Sequence, residues 1–198
     1  MLLLFHPRFE DSRANRALWE RAAEVEGLSR RDMYEIYPDF NVDVEAEKEW
    51  LRQHDIVVWQ HPFYWYSCPP LMKQWLDLVL EFNWAYGPKG EALRGKWAMN
   101  VLTSGGTFEV YQADGRNRFT YREFLRPFEQ TAQLCGMAYL PPFVVPGASR
   151  LSAPAREQYA EQYRQLLQAL QTQPVEITSL QSHPYSNDIN PASWPVHS

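Results

Sequence analysis

The sequence predicts an α/β protein in which helices cover both faces of one parallel sheet. Two observations support this class. Short runs of aliphatic and β-branched residues alternate with longer stretches of helical period. Most of these runs are apolar throughout, which is typical of strands buried on both faces. Strict alternation of five strands and five helices predicts a doubly wound sheet with strand order 2-1-3-4-5.

Five segments are predicted as strands, and they are 2–5, 29–34, 56–60, 97–102 and 139–145. The first, third and fourth are continuously apolar, so they should lie inside the sheet. The second segment carries several charges, which is typical of an edge strand.

The first two helices begin at residues suited to capping. Ser12 is a candidate N-cap for a helix over 14–25. Asp43 or Val44 begins the second helix, which we expect to run to about Gln53.

The remaining helices are predicted from apolar faces of helical period. Pro69 and Pro70 stand where the third helix begins. Its predicted apolar face comprises Leu71, Trp75, Leu78, Val79 and Phe82. The fourth face comprises Leu125, Phe128, Ala132 and Cys135, and Pro127 lies either in the first turn of that helix or at a kink. The fifth face comprises Tyr159, Tyr163, Leu166, Leu167 and Leu170.

This element order is that of the flavodoxin-like fold, so we expect one flavodoxin-like domain over 1–171. The segments 83–95 and 107–123 are long for connections in such a fold, and long loops are usually functional. Residues 172–198 form a polar, proline-rich tail without Lys or Arg. We expect this tail to be poorly ordered or to lie on a neighbour.

Composition excludes several classes of protein. The net charge of −5 lacks the positive field of a nucleic-acid-binding protein, so nucleic acid is not an expected partner. The two cysteines, Cys68 and Cys135, form no CxxC pair, and the histidines show no metal-ligand spacing, so no metal site is expected. No apolar run reaches the length of about 18 residues that a membrane span requires. We expect a cytoplasmic protein.

His-Pro dipeptides end two neighbouring inner strands of the predicted sheet. His6-Pro7 follows the first strand and His61-Pro62 follows the third. In strand order 2-1-3-4-5 both lie at the topological switch point, where open α/β sheets bind ligands. The alternative is that proline merely ends each strand and histidine fills a turn.

The loop after the first strand runs into a helix start that resembles an anion site. Free N–H groups of a first helical turn attract phosphate, and Ser12 and Asn15 add side-chain donors. Arg8, Arg13 and Arg16 should raise the local positive potential. An ordinary serine-capped helix with solvated arginines is an equally good interpretation of this segment alone.

Four consecutive aromatic residues, 63–66, follow the third strand. They cannot all be core residues, because neighbouring side chains of an extended or turning segment point in different directions. Aromatic walls suit a planar heteroaromatic ligand. An exposed contact between subunits is the alternative, and it is compatible with the first.

The fourth strand ends in a glycine loop, 103–107, whose consecutive N–H groups could form a nest for negative charge. Alone it could be a flexible turn. Together the three loops predict an anion site, an aromatic wall and a donor nest at one sheet edge. A flavin fits all three.

At these residues the sequence resembles the flavodoxin-like NAD(P)H:quinone oxidoreductases, closest to the ancillary subunits of glutathione-regulated potassium efflux antiporters. The resemblance covers about residues 1 to 170. Its stretches are 6–15, 37–47, 58–77, 85–90, 103–106, 125–137 and 139–143. It implies a homodimer with FMN, or FAD, at the interface, and two-electron transfer from NADH or NADPH to a quinone.

The resemblance also implies roles for individual residues. Those implied to hold the flavin phosphate and ribityl chain are His6, Ser12, Arg13, Ala14 and Asn15. Those implied to line the ring system are Pro62, Phe63, Tyr64, Trp65 and Tyr66. Those implied to close over it are Thr103, Ser104, Gly105 and Gly106. Tyr111 stands where some relatives have a catalytic tyrosine, whereas Asn117 replaces a histidine and could not relay a proton.

Two further hypotheses belong to other classes. The protein could be a regulatory ancillary subunit that docks on the cytoplasmic domain of a potassium/proton antiporter, at the inner face of the membrane, with oxidoreductase activity secondary. It could also be a one-electron carrier, although the two long loops favour a deep pocket for a substrate.

Overall fold

Six parallel strands form the centre of the part of the chain that the computed structural model describes, residues 1–172 and 180–189. Their order is β2-β1-β3-β4-β5, and β6 also pairs with β4. The strands are β1 (Leu2–Leu4), β2 (Arg30–Asp32), β3 (Ile56–Pro62), β4 (Trp97–Thr103), β5 (Ala138–Tyr139) and β6 (Phe143–Val145). The predicted flavodoxin-like fold and strand order are confirmed.

Helices cover both faces of the sheet. They are α1 (Arg13–Ala22), α2 (Met33–Ile36), α3 (Val44–Arg52), α4 (Pro70–Val79), α5 (Tyr121–Phe124), α6 (Arg126–Leu134) and α7 (Ala153–Thr172). Ser12 caps α1 and Asp43 caps α3, as predicted. Pro127 lies in the first turn of α6, where its missing N–H costs no helical hydrogen bond. None of the described helices has both the length and the apolar character needed to span a membrane.

Successive residues of the inner strands enter cores on opposite faces of the sheet. In β3, Val57 and Trp59 belong to one apolar cluster, whereas Val58 belongs to the other. A strand that is buried on both faces must be apolar at most positions, and buried polar residues such as Gln60, His61 and Asn100 are each hydrogen-bonded. This requirement explains the continuous apolar runs that predicted these strands.

The predicted fifth strand, 139–145, is instead two strands, so the expected number of five was wrong. β5 pairs with the start of β4 and β6 pairs with its end. The interruption lies at Pro141 and Pro142. Proline has no N–H to donate to a ladder, so two successive prolines separate the pairing into two short pieces.

The predicted apolar face of α4 was wrong at two positions, Leu78 and Phe82. Leu78 is 40% exposed and Phe82 is 60% exposed, while Met72 and Leu76 are buried instead. At 100° per residue Leu78 lies about 90° from the centre of the buried stripe. Phe82 lies beyond the end of the helix at Val79.

Part of the predicted tail packs on the domain from which it extends. Leu180 and Ile189 are buried in the core cluster that contains α7. The expectation of a poorly ordered tail, or one lying on a neighbour, is therefore wrong for residues 180–189. Residues 173–179 and 190–198 lie outside the described residues, and the domain boundary at 171 stays a prediction.

Candidate cofactor site

A cavity of about 440 Å³ lies at the carboxyl edge of the sheet, at the switch point between β1 and β3. Its lining residues are His6, Arg8, Asp11, Ser12, Arg13, Ala14, Pro62, Phe63, Tyr64, Thr103, Ser104, Gly105, Ala148 and Ser149. The structure therefore brings together residues from all three loops that the sequence singled out. Five predicted site residues do not line the cavity, and they are Asn15, Trp65, Tyr66, Gly106 and Tyr111.

The start of α1 supplies hydrogen-bond donors to this cavity. Ser12 Oγ accepts the N–H and the Nδ2–H of Asn15, both at 3.3 Å, so its own O–H remains available to a ligand. The backbone N–H groups of Arg13 and Ala14 meet no acceptor among residues 1–172 and 180–189. With the positive end of the helix dipole, these donors form an anion site.

The arginines contribute less free charge than the sequence suggested. Arg8 pairs with Asp11 at 2.6 Å, and Arg16 pairs with Glu10 at 3.0 Å. Arg13 donates to the carbonyl of Ser149 at 3.1 Å. The attraction of the cavity for an anion therefore rests mainly on backbone donors.

His6 is a neutral donor at the wall of the cavity. Burial lowers its pKa to about 4, against smaller opposing effects of its own backbone and of Asp11. Its Nδ1 accepts the N–H of Arg8 at 3.2 Å. The hydrogen of the neutral ring must then be on Nε2, which can donate to a ligand.

Asn15 lies beneath the cavity and ties its two sides together. The side chain is fully buried, and Nδ2 donates to Thr103 Oγ1 at 2.7 Å. Gln60 Nε2 donates to the Asn15 backbone carbonyl at 3.2 Å and to Oδ1 at 3.3 Å. Asn15 thus positions the start of α1 against the end of β4, although it was predicted to contact the ligand.

A buried chain of hydrogen bonds supports the third strand end. Tyr139 donates to Asn100 Oδ1 at 2.6 Å, and Asn100 Nδ2 lies 2.9 Å from His61 Nε2. The amide must donate there, so the His61 hydrogen is on Nδ1, which donates to the Pro62 carbonyl at 3.0 Å. This chain fixes the backbone at which the aromatic wall begins.

The aromatic segment divides between the cavity and the surface. Phe63 and Tyr64 line the cavity, whereas Trp65 is 92% exposed and Tyr66 stacks on Phe124 at 5.0 Å. Trp65 and Tyr66 have φ values of 47° and 62°. Ser67 N–H donates to the Tyr64 carbonyl at 2.9 Å, so the segment is a tight turn with two left-handed residues. No local pattern predicts this conformation at Trp65 and Tyr66, because glycine or asparagine usually occupies such positions.

Trp65→Asn is expected to stabilise the protein without weakening FMN binding, because Trp65 does not line the cavity. Asparagine tolerates a positive φ with less strain than tryptophan, so the free energy of unfolding should rise by about 0.5–1 kcal/mol. Urea unfolding of the flavin-free protein and titration with FMN measure stability and FMN affinity. A loss of stability would instead indicate that the exposed ring is covered in solution.

The glycine loop offers the cavity one free N–H donor, and the predicted nest of consecutive donors is not formed. The N–H of Ser104 donates to the Val145 carbonyl, and that of Gly106 donates to Ser104 Oγ. The N–H groups of Gly105 and Thr107 meet no acceptor in the described part of the chain, and of these two residues only Gly105 lines the cavity. Gly106 packs against Tyr111, which stacks on Tyr121 at 4.0 Å and therefore lies behind the cavity wall.

Alanine at Gly105 is expected to affect ligand binding, whereas alanine at Gly106 is expected to affect stability. A Cβ on Gly105 would meet nothing within 4 Å, whereas one on Gly106 would lie 2.6 Å from the Tyr111 ring. We expect Gly105→Ala to keep the unfolding free energy and to lower FMN affinity about tenfold, because the methyl group occupies ligand space. Gly106→Ala should cost about 1–3 kcal/mol of stability through overpacking. Denaturation and flavin titration of both variants check this, and equal losses of stability would contradict it.

Sequence reasoning missed Ala148 and Ser149, which line the cavity from the loop after β6. No side-chain motif marks them. Their signal is topological, because a loop that follows a parallel strand lies at the same sheet edge as the other strand ends.

A second cavity, of about 500 Å³, lies at the opposite edge of the sheet. Its histidine, His54, already bonds to the Trp50 carbonyl and to Ser29 Oγ, each at 2.7 Å. This cavity lies away from the strand ends at which open α/β sheets bind ligands. The carboxyl-edge cavity is therefore the better candidate.

A doubly wound sheet with donors and rings at its switch point defines an α/β protein built to bind a phosphorylated planar ligand. Comparison with known proteins agrees, since a family described as having a flavodoxin-like fold matches residues 1–167. The chain belongs to this flavodoxin-like family.

Three relatives illustrate the range of the family. The glutathione-regulated potassium-efflux system ancillary protein KefG of Erwinia tasmaniensis is 43% identical over 163 residues, which are 82% of this chain and 89% of that protein. General stress protein 14 of Treponema denticola, solved in complex with FMN, is 38% identical with a TM-score of 0.80, covering 85% of this chain and 97% of that one. An NADPH-quinone reductase from P. pentosaceus is 29% identical with a TM-score of 0.76, covering 83% and 95%. The resemblance seen in the sequence is confirmed.

Proposed function

We propose that this protein is an FMN-dependent NAD(P)H:quinone oxidoreductase. The observation that carries the proposal is the set of free donors in one cavity, namely the N–H groups of Arg13, Ala14 and Gly105, facing the rings of Phe63 and Tyr64. A ligand that carries an anionic group and a planar ring system would bind these donors with the first and contact the two aromatic rings with the second.

The residues fit a flavin mononucleotide. Ser12, Arg13 and Ala14 would hold its phosphate, with His6 Nε2–H as a further donor. Phe63 and Tyr64 would bound the ring system, and the absence of a side chain on Gly105 leaves space for it. When bound, a flavin supplies two-electron hydride chemistry.

The residues of the cavity would orient the ligand and shield it from water more than they would exchange protons with it. His6 is neutral at pH 7, and Asp11 is held by Arg8. The net reaction would be NAD(P)H + H⁺ + quinone → NAD(P)⁺ + hydroquinone, with the proton drawn from water. The Gly105 N–H would stabilise negative charge on the ligand.

The relatives support the choice of cofactor and substrate. The Treponema denticola protein was solved with FMN, and the P. pentosaceus protein is described as an NADPH-quinone reductase. We extend both properties to this chain, with FMN in preference to FAD.

A homodimer belongs to the same proposal. The large apolar side chains that are most exposed include Trp65, Phe82, Phe119 and Leu134. Phe119 and the half-exposed Tyr66 both pack on Phe124, so these rings form a contiguous exposed patch next to Trp65, and contiguous apolar patches mark interaction surfaces. A second copy would cover them and complete the site.

Visible spectroscopy of the purified protein tests the proposal directly. We expect flavin absorbance, FMN in the released extract, and faster NADPH oxidation when menadione is added. The variant Gly105→Ala should bind flavin about tenfold more weakly, and so lose activity at limiting flavin, while remaining folded. A colourless protein that takes up no flavin would refute the proposal.

The relation to KefG favours a second candidate function, that of an ancillary subunit on a potassium-efflux antiporter at the inner face of the membrane. Co-purification with such a transporter would support it. If Gly105→Ala still activates potassium efflux, regulation and not oxidoreductase activity is the main role.

A further inference from the structure

Residues 180–189, here called the C-terminal strap, lie outside the family match, which ends at residue 167. The strap is nevertheless docked on the sheet. Leu180, Ser186 and Ile189 are buried, and the short helix Ser186–Asp188 runs beside β6. A segment that is anchored by three buried residues has a physical role in the fold.

The strap closes the open edge of β6. Asn187 Oδ1 accepts the N–H of Val144 at 2.8 Å, and Asn187 Nδ2 donates to the Val144 carbonyl at 3.0 Å. One side-chain amide thus pairs with the groups that a neighbouring strand would have used. Ser186 adds bonds to the carbonyls of Pro141 and Pro142, at 2.6 Å and 3.0 Å.

From this anchor the strap reaches loop 107–123, which directly follows the glycine loop. The Tyr185 ring lies 5.2 Å from that of Phe108, which begins a short helix two residues after Gly106. Phe108 packs edge-on against Tyr121 at 5.7 Å, and the Tyr121 hydroxyl donates to the Gly106 carbonyl at 3.0 Å.

Tyr121 also contacts the cavity wall. Its ring lies 5.6 Å from that of Phe63, which lines the cavity. The rings of Tyr185, Phe108, Tyr121 and Phe63 therefore form an unbroken path from the strap to the wall. Tyr185 belongs to the strap, Phe108 and Tyr121 belong to loop 107–123, and Phe63 belongs to the site.

We propose that the strap is a positioning element of the cofactor site, in which Tyr185 holds loop 107–123 and thereby the glycine loop in the form that binds the cofactor. The part of the proposal that concerns affinity rests on the proposed flavin function. The claim that Tyr185 holds loop 107–123 does not depend on that function.

Limited trypsin digestion of the full-length, flavin-free protein tests the loop directly, because Arg116 and Arg118 are exposed within it. We expect Tyr185→Ala to speed cleavage after these two residues about tenfold and to weaken FMN binding by a similar factor. Tyr185→Phe keeps the ring and should restore both to near the original values.

Trp50→Ala is the matched control, since it removes a half-buried aromatic ring that stacks on His54, beside the cavity at the opposite edge of the sheet. It should lower stability without changing loop cleavage or FMN affinity. Unchanged cleavage in Tyr185→Ala would overturn the role of the strap, and so would faster cleavage with unchanged FMN affinity. If the unaltered protein binds no FMN, the proposed function fails, while the cleavage rates still decide whether the strap holds the loop.

Discussion

Asn15→Asp is expected to abolish tight flavin binding and to destabilise the protein. Nδ2 of Asn15 donates to Ser12 Oγ and to Thr103 Oγ1, and a carboxylate has no N–H to replace it. Both hydroxyls would turn to donate to the new carboxylate, which withdraws the Ser12 O–H from the cavity. The added negative charge also lies beneath the anion site.

The magnitude follows from the cost of burying an imperfectly paired charge. We expect the free energy of unfolding to fall by about 2–4 kcal/mol. Repulsion between the carboxylate and a bound phosphate should lower FMN affinity by at least about 100-fold. Urea unfolding and fluorescence titration with FMN measure the two effects.

Asn41→Asp provides the matched control, because it makes the same chemical change in an exposed loop. Asn15→Ala separates the loss of donors from the added charge and should have an intermediate effect on affinity. Retention of normal FMN affinity in Asn15→Asp would show that the start of α1 is not the phosphate site.

Stability is expected to fall steeply as the pH drops from 6.5 to 4. Burial lowers the pKa of both His61 and His6 to about 4, whereas the unfolded chain binds these protons near pH 6.5. For His61 the cause is clear from the geometry, since Nε2 already faces the Asn100 amide and a second ring proton would find no acceptor.

Because the unfolded state binds more protons in this range, stability is fully present above pH 6.5 and is lost as the pH falls. Each histidine should remove about 2 kcal/mol between pH 7 and pH 4.5. Urea unfolding of the flavin-free protein across this range gives the slope.

His61→Gln and His6→Gln identify the source of this slope. Each variant should lower the slope of the unfolding free energy against pH by about 1.4 kcal/mol per pH unit, which corresponds to one proton. The slope is the diagnostic quantity, because both variants also lose stability at pH 7. An unchanged slope in His61→Gln would mean that this ring is protonated equally in the folded and unfolded chains.

The sequence predicted those parts of the site that depend on local chemistry and strand order. Ser12 caps α1 as its position indicates, and the strands that end at His6 and His61 are neighbours because the order 2-1-3-4-5 makes them so. Gly105, which the sequence singled out, lines the cavity, and a Cβ at this position would meet only open space.

The remaining features depend on contacts between distant residues, which no local pattern encodes. Asn15 looked like a ligand-binding residue, but its partner Thr103 is 88 positions away and holds it beneath the cavity. The turn at Trp65 places a tryptophan at a positive φ, where glycine or asparagine is preferred. The strap docks through Asn187 and Tyr185, in a segment whose polar composition is typical of disorder.

Trp65 also gives this protein an internal optical reporter. Trp59 and Trp75 are fully buried, whereas Trp65 is 92% exposed and directly follows Tyr64, which lines the cavity. Among the described tryptophans, iodide in solution should therefore quench Trp65 first. Protection from iodide on adding FMN, or on raising the protein concentration, would distinguish shielding by a ligand from shielding by a second subunit without any label.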